Sequence, residues 1–131
     1  MKRSLFYFAW RELTRSPYLG KSKFIRDLSK GNQKKVGIVA AMMGNPEVVI
    51  LDEPFANLDP SSQFKLRKII KDQAAEHEMT FLISSHTLDN ITDVCSRIVI
   101  LEKGKIVKDV AKTDTTLQQL EEFFIAEKEL V

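Results

Sequence analysis

Two adjacent acidic residues, Asp52 and Glu53, are the part of the sequence best suited to chemistry. They follow four consecutive apolar residues at 48–51 and precede Pro54. Continuous hydrophobicity of this length is typical of a strand in a parallel sheet, and open α/β sheets bind ligands at the C-terminal edge of such strands. There one carboxylate can hold a hydrated Mg²⁺ and its neighbour can orient an attacking water molecule. Acids after a strand can equally cap a loop, so the pair alone leaves both interpretations open.

Further polar residues stand at the ends of neighbouring predicted elements. Ser29 and Gly31 come directly before a predicted helix, where a hydroxyl, backbone N–H groups and the helix dipole converge and favour a phosphate. Asp59 is placed as the N-cap of a second helix, with a proline in its first turn. His86 follows another apolar run. The order of these residues therefore indicates a nucleotide site more strongly than any one of them.

The elements that must position these residues follow from hydrophobic patterning. The sequence predicts strands at 48–51, 81–83 and 98–101, each covered on both faces. Helices are predicted at 33–43, 59–76 and around 88–95, followed by a hairpin turning at Lys103-Gly104 and an amphipathic helix at 115–129. The predicted apolar faces of the first two helices are Val36, Val39, Ala40 and Met43, and Phe64, Ile69, Ile70 and Ala74. Alternating strands and helices predict an α/β fold.

Four short segments together resemble the ATP-binding cassette (ABC) ATPases over residues 24–110. Residues 28–33, Leu-Ser-Lys-Gly-Asn-Gln, are similar to the ABC signature motif in a Ser-x-Gly variant. Residues 48–53 resemble Walker B, residues 57–59 the D-loop, and His86 the switch histidine of the H-loop. The resemblance implies a partial P-loop NTPase sheet with flanking helices. It also implies ATP and Mg²⁺ as cofactors and hydrolysis of ATP to ADP and phosphate.

The resemblance also implies a role for each matching residue. Asp52 would coordinate Mg²⁺ through water, Glu53 would act as the general base, and His86 would contact the γ-phosphate. The signature-like residues would contact a nucleotide held mainly by an opposing subunit; they are Ser29, Gly31, Asn32 and Gln33. Asp59 would carry communication across that head-to-tail dimer.

The 131 residues do not contain a Walker A sequence, G-x-x-x-x-G-K-[ST], or a Q-loop. The nearest match is Gly20-Lys21-Ser22, but Arg15 stands where the first glycine is needed and Pro17 lies inside the loop. The resemblance therefore implies that the strand feeding Walker A is missing from the sheet. We expect this chain alone to bind ATP weakly and to turn it over slowly or not at all.

Composition sets the remaining limits. The length of 131 residues fits one domain, the net charge of +2 indicates no nucleic-acid partner, and a single cysteine excludes an internal disulfide. We divide the chain into a basic aromatic, helix-forming segment at 1–23, the cassette part at 24–110 and a helical extension at 111–131. No stretch is apolar enough to span a membrane, and we expect a cytoplasmic protein held at the membrane by a partner.

The function predicted from the resemblance is that of an ATP-binding subunit, or part of one, energising transport. Its partners would be a membrane permease and a second ABC ATPase subunit. Two alternatives stay open. One is a non-catalytic or regulatory fragment that docks on an intact ABC ATPase; the other is a non-transport ABC ATPase of the DNA-repair or translation type, against which the mild charge argues.

Overall fold

A computed structural model describes residues 24–129 of the chain. The segment at 1–23, including the Gly20-Lys21-Ser22 sequence, lies outside the described residues. The chain divides into two compact units, the first ending at Ser84 and the second beginning at Ser85. No helix within 24–129 is both long and apolar enough to cross a membrane.

The first unit alternates helices and strands. A short 3₁₀ helix at Ile25–Asp27 is followed by helix α1 at Lys30–Ala41, strand β1 at Val48–Asp52, helix α2 at Pro60–Glu76 and strand β2 at Thr80–Ser84. The two strands are parallel and in register from Val48 with Thr80 to Asp52 with Ser84. Helix α1 lies against β1, and α2 lies against β2. This is the β-α-β connection that parallel strands require, so the predicted α/β character is confirmed.

One face of this small sheet is buried and the other is open, which corrects the prediction of strands covered on both faces. Val49 and Leu51 are 2% and 5% exposed, whereas Ile50 and Leu82 are 70% and 63% exposed. Side chains alternate across a strand, so Val49 and Leu51 share the covered face. The two helices of this described unit cover that face only. Apolarity alone did not reveal which face would be covered.

Helix α1 begins earlier than predicted because Ser29 caps it. The Ser29 hydroxyl accepts a hydrogen bond from the Asn32 amide, and the helix then runs from Lys30. Two poor helix formers in its first turn, Gly31 and Asn32, concealed this start. Its buried residues are Ile38, Val39 and the cap residue Met42, whereas Ala40 and Met43 are exposed. The predicted apolar face was therefore only partly right.

Helix α2 has the start and end that its sequence predicts. Asp59 is its N-cap and Pro60 its first residue, in the position where a missing N–H costs nothing. The buried stripe is Leu66, Ile69, Ile70 and Gln73, at spacing i, i+3, i+4 and i+7. Phe64 is 63% exposed because it lies off this stripe, and Ala74 is exposed as well.

The second unit contains two helices and an antiparallel hairpin. Helix α3 spans Leu88–Val94, strands β3 and β4 span Arg97–Glu102 and Lys105–Ala111, and helix α4 spans Thr116–Glu129. The hairpin turns at Lys103 and Gly104, whose φ angles of 46° and 78° fit the left-handed pair of a tight hairpin turn. Ile98, Ile100 and Leu120 form its buried core. The predicted hairpin is confirmed.

Candidate functional site

The carboxylate of Asp52 stands exposed at the C-terminal end of β1. Its neighbour in the parallel register is Ser84, the last residue of β2. The Ser84 hydroxyl donates a hydrogen bond to the Asp52 Oδ1 atom. Sequence reasoning missed Ser84, although its place at the end of the strand before His86 was a signal that could have found it.

The same serine also fixes the backbone of Glu53. The Glu53 amide donates to the Ser84 hydroxyl oxygen at 3.0 Å and to the Ser84 carbonyl oxygen at 3.1 Å. Glu53 adopts a φ of 45°, a left-handed conformation that is uncommon for a residue with a side chain. Such conformations persist where the surroundings determine them. The two candidate catalytic acids are therefore held by one residue of the neighbouring strand.

The turn after Glu53 is compact and anchored. Its Ala56 amide donates to the Glu53 carbonyl at 3.2 Å, and Phe55 is 2% exposed. The Gln63 side chain, on α2, donates to the carbonyls of Phe55 and Leu58, each at 3.2 Å. A buried aromatic ring and an amide from the next helix thus hold this turn from two sides.

Helix α1 approaches the turn closely. The Lys34 Nζ atom donates to the carbonyl oxygen of Glu53 at 2.7 Å and to that of Ala56 at 3.0 Å. Near the start of the same helix, a Cβ atom added to Gly31 would lie 3.1 Å from the Asn57 carbonyl oxygen. Only glycine allows this approach without displacement. The structure therefore brings the signature-like segment beside the Walker B-like turn, and sequence reasoning did not identify Lys34.

The predicted phosphate-contacting residues have different surroundings. Ser29 is exposed at the start of α1, where its oxygen caps the helix, and Asn32 is half-buried. The Gln33 Nε2 atom donates to the carbonyl oxygens of Leu28 at 2.8 Å and Arg26 at 3.3 Å. The Gln33 side-chain amide therefore secures the segment that precedes the helix. The Ser29 side chain, in contrast, lies at the surface.

Asp59 acts as a helix cap. Its carboxylate accepts hydrogen bonds from the Ser62 amide at 3.0 Å and the Ser62 hydroxyl at 2.6 Å, and Lys35 Nζ lies 3.9 Å away. The Ser62 hydroxyl bond, followed by the Ser62 amide bond, holds the pKa of Asp59 below its usual value. Lys35 adds a smaller effect in the same direction. The predicted N-cap is confirmed by this geometry.

His86 belongs to the second unit, two residues after Ser84. Its side chain is exposed and precedes α3, and the neighbouring Ser85 hydroxyl accepts a hydrogen bond from the Thr87 amide at 3.1 Å. The first unit thus brings together Asp52, Glu53 and the start of α1. His86 stands in the chain two residues after the serine that contacts both acids.

The exposed carboxylate of Asp52 is the kind of ligand that Mg²⁺ uses together with phosphates. Among the side chains that the structure describes, no group of three or more His, Cys, Asp or Glu residues could enclose a metal ion. Mg²⁺ usually keeps several waters and binds through one or two carboxylates together with substrate phosphates. The exposed Asp52 carboxylate suits that mode. In the first turn of α1 the Asn32 amide is bonded to Ser29, and a helix leaves the other N–H groups of this turn without intrahelical partners.

Comparison with known proteins gives one consistent family. The model of the ABC transporter family matches residues 9–56. This match begins inside the segment at 1–23. The uncharacterized ABC transporter ATP-binding protein MJ1023 of Methanocaldococcus jannaschii is 38% identical over 111 residues, which are 81% of this chain and 42% of that protein. The chain spans less than half the length of the curated relatives it matches.

Solved structures agree with the sequence comparison. An ATP-binding subunit of an ABC transporter is 29% identical with a TM-score of 0.74, covering 93% of this chain and 54% of that one. The dimeric cassette MJ0796, in a post-hydrolysis state bound to ADP and Pi, is 25% identical with a TM-score of 0.63, covering 67% of this chain and 38% of that one. The predicted partial ATPase fold is confirmed.

Proposed function

This chain belongs to the ABC transporter ATP-binding family, as part of a nucleotide-binding domain, and from that premise we propose that it takes part in ATP hydrolysis that energises transport through a membrane permease. The observation that carries the proposal is the pair of acids at the end of β1. Ser84 is hydrogen-bonded to the carboxylate of Asp52 and to the backbone amide of Glu53, at the edge of the sheet where α/β proteins bind ligands.

Each acid has a separate task in this proposal. Bound Mg²⁺ would neutralise charge on the phosphates, and Asp52 would hold its water shell. The Ser84 hydroxyl uses Oδ1 of Asp52 and thereby orients the carboxylate. Glu53, whose backbone is fixed by two hydrogen bonds, would position the attacking water and accept its proton. His86 would contact the γ-phosphate from the chain segment that follows Ser84.

A second nucleotide contact would form at the start of α1. There Ser29, Gly31, Asn32 and Gln33 would approach the phosphates of ATP held by a second cassette. Ser29 suits this role because its side chain is exposed. The close packing of Gly31 on the turn after β1 fixes the position of the helix start. The solved structure of MJ0796 is a dimeric cassette bound to ADP and Pi. We extend that arrangement to this chain, with Asp59 relaying contact between subunits.

The proposed location follows from the proposed partners. A permease would hold the chain at the cytoplasmic face of the membrane, as a peripheral subunit. Nucleic acid is not among the proposed partners, because the net charge of +2 gives little attraction for it.

A non-catalytic role is the second candidate, and one observation favours it. The 131 residues contain no Walker A sequence, so the chain by itself offers no phosphate cradle. Such a chain could dock through the start of α1 on an intact cassette and change its rate. The two candidates differ in whether Glu53 is needed for turnover.

A chimera separates these candidates. The part of this chain that aligns with MJ1023 replaces its counterpart in that ATP-binding protein, and we expect the rest of MJ1023 to supply the phosphate-binding part. We expect the chimera to hydrolyse ATP, and Glu53→Gln to lower the rate by about 10²-fold or more while ATP binding persists. Glu47→Gln, the same change at an exposed acid before β1, is the matched control.

Two results would count against the proposal. Turnover that survives Glu53→Gln would remove the general-base role. A folded chimera that binds ATP and never turns it over would favour the non-catalytic role.

A further inference from the structure

We propose that Lys34 is a positioning residue that couples the start of α1 to the backbone of Glu53. This inference rests on the proposed function, because its consequence concerns the candidate base. Lys34 lies one turn into α1, after the signature-like segment, and its ammonium group reaches out of the helix to the turn that follows β1.

The contact is specific in its geometry. The Lys34 Nζ atom is 2.7 Å from the Glu53 carbonyl oxygen and 3.0 Å from the Ala56 carbonyl oxygen. Hydrogen bonds from a charged donor are shorter and stronger than neutral ones. The Glu53 carbonyl also accepts the Ala56 amide at 3.2 Å, so Lys34 and this amide share one acceptor. The ammonium therefore closes the turn at both of its carbonyl ends.

The turn needs such a partner. Glu53 adopts its left-handed φ of 45°, and Asn57 adopts a φ of 61° at the other end of the turn. Backbone in this region costs free energy unless its surroundings determine it. Ser84 fixes the amide side of Glu53, and Lys34 fixes its carbonyl side. With both sides held, the backbone that carries the Glu53 side chain is fixed by β2 and α1 together.

The functional consequence is a mechanical link between two parts of the site. Ser29 and Gly31 lie at the start of the helix that carries Lys34, and Gly31 packs against the Asn57 carbonyl. A displacement of the helix start would move the Lys34 ammonium and, through it, the Glu53 carbonyl. Engagement of the signature-like segment would thereby adjust the orientation of the candidate base.

Amide hydrogen exchange of the 131-residue chain, followed by NMR, tests this link. We expect Lys34→Met to speed exchange of the Glu53 and Ala56 amides roughly tenfold to hundredfold relative to the Ile69 amide in α2, since the bond lost is charged. Lys34→Arg, which keeps a charged donor, should restore most of the protection. Lys65→Met, which removes a lysine from α2, is the matched control and should leave both amides unchanged.

Several outcomes overturn the inference. If the three amides change in equal proportion, Lys34 contributes only general stability. If Lys34→Arg gives no rescue, the charged donor is not what holds the turn. Should Lys34→Met fail to fold, the milder Lys34→Gln is compared instead, and unchanged exchange at Ala56 then refutes the link. The exchange needs no nucleotide, so its result is independent of whether the chimera hydrolyses ATP.

Discussion

Alanine substitutions at two glycines of α1, Gly31 and Gly37, should differ in their effect on stability. Gly37 lies inside the helix, and a Cβ added there would meet no atom within 4 Å. Gly31→Ala would place a Cβ 3.1 Å from the Asn57 carbonyl oxygen, closer than ordinary van der Waals contact. The same change of residue therefore isolates the packing of α1 on the turn.

The magnitudes follow from these two environments. Gly37→Ala should raise the free energy of unfolding by about 0.4–1 kcal/mol, because alanine has less backbone freedom to lose. At Gly31 the same gain is opposed by a backbone atom that must move by a few tenths of an ångström. Overpacking of this kind costs about 1–3 kcal/mol. We expect Gly31→Ala to be less stable than Gly37→Ala by about 1–3 kcal/mol.

Urea denaturation followed by circular dichroism measures this difference. With a typical urea dependence of about 2 kcal/mol per molar, the two midpoints should differ by roughly 1 M. Equal stabilisation by both substitutions would refute the close approach of α1 to Asn57. A loss of stability in Gly37→Ala would contradict the open surroundings of that position.

Three further predictions concern burial and charge. Leu51→Ala should lower the free energy of unfolding by about 2–5 kcal/mol, as measured by urea denaturation. Ile50→Ala, on the open face of β1, should lower it far less. Equal losses for the two variants would contradict a sheet that is covered on one face. Hydrogen bonds from Ser62 lower the pKa of Asp59 in the folded chain below its ordinary value of 3.8. The contribution of the Asp59 carboxylate to stability is therefore complete above pH 3.8 and is lost as the pH falls through the lower pKa of the folded chain. Between about pH 6 and about pH 2, the free energy of unfolding should fall less for Asp59→Asn than for the parent chain. Identical pH profiles for the two chains would refute this prediction. Burial raises the pKa of the Cys95 thiol, and Lys112 has a smaller opposing effect. Iodoacetamide should therefore alkylate Cys95 more slowly in the folded chain than in the urea-unfolded chain at equal pH. Equal rates would show that the thiol is accessible in the folded chain.

The site was predictable where one residue type at one position implies one local contact. Asp59 before Pro60 predicted a helix cap, and the structure has that cap. The turn at Lys103 and Gly104 was equally readable, since few residues tolerate left-handed φ.

Long-range contacts were not predictable in this way. Ser84 contacts Asp52 only because β1 and β2 pair in one particular register, which the separate apolar runs do not specify. Lys34 reaches the turn because of how α1 packs, and a lysine in a helix is most often exposed. The open face of the sheet was misjudged for a related reason. Apolar residues on both sides of a strand do not reveal which side the helices of the chain cover.

The affinity of the 131-residue chain for Mg-ATP tests the central claim most directly. That claim is that residues 24–131 supply the hydrolytic acids of a cassette, while the phosphate cradle comes from outside this sequence. Equilibrium dialysis with radiolabelled ATP should show no saturable binding in the micromolar range, and Lys21→Ala should change nothing. Micromolar binding that Lys21→Ala abolishes would contradict the claim, because it would make Gly20-Lys21-Ser22 a working phosphate loop.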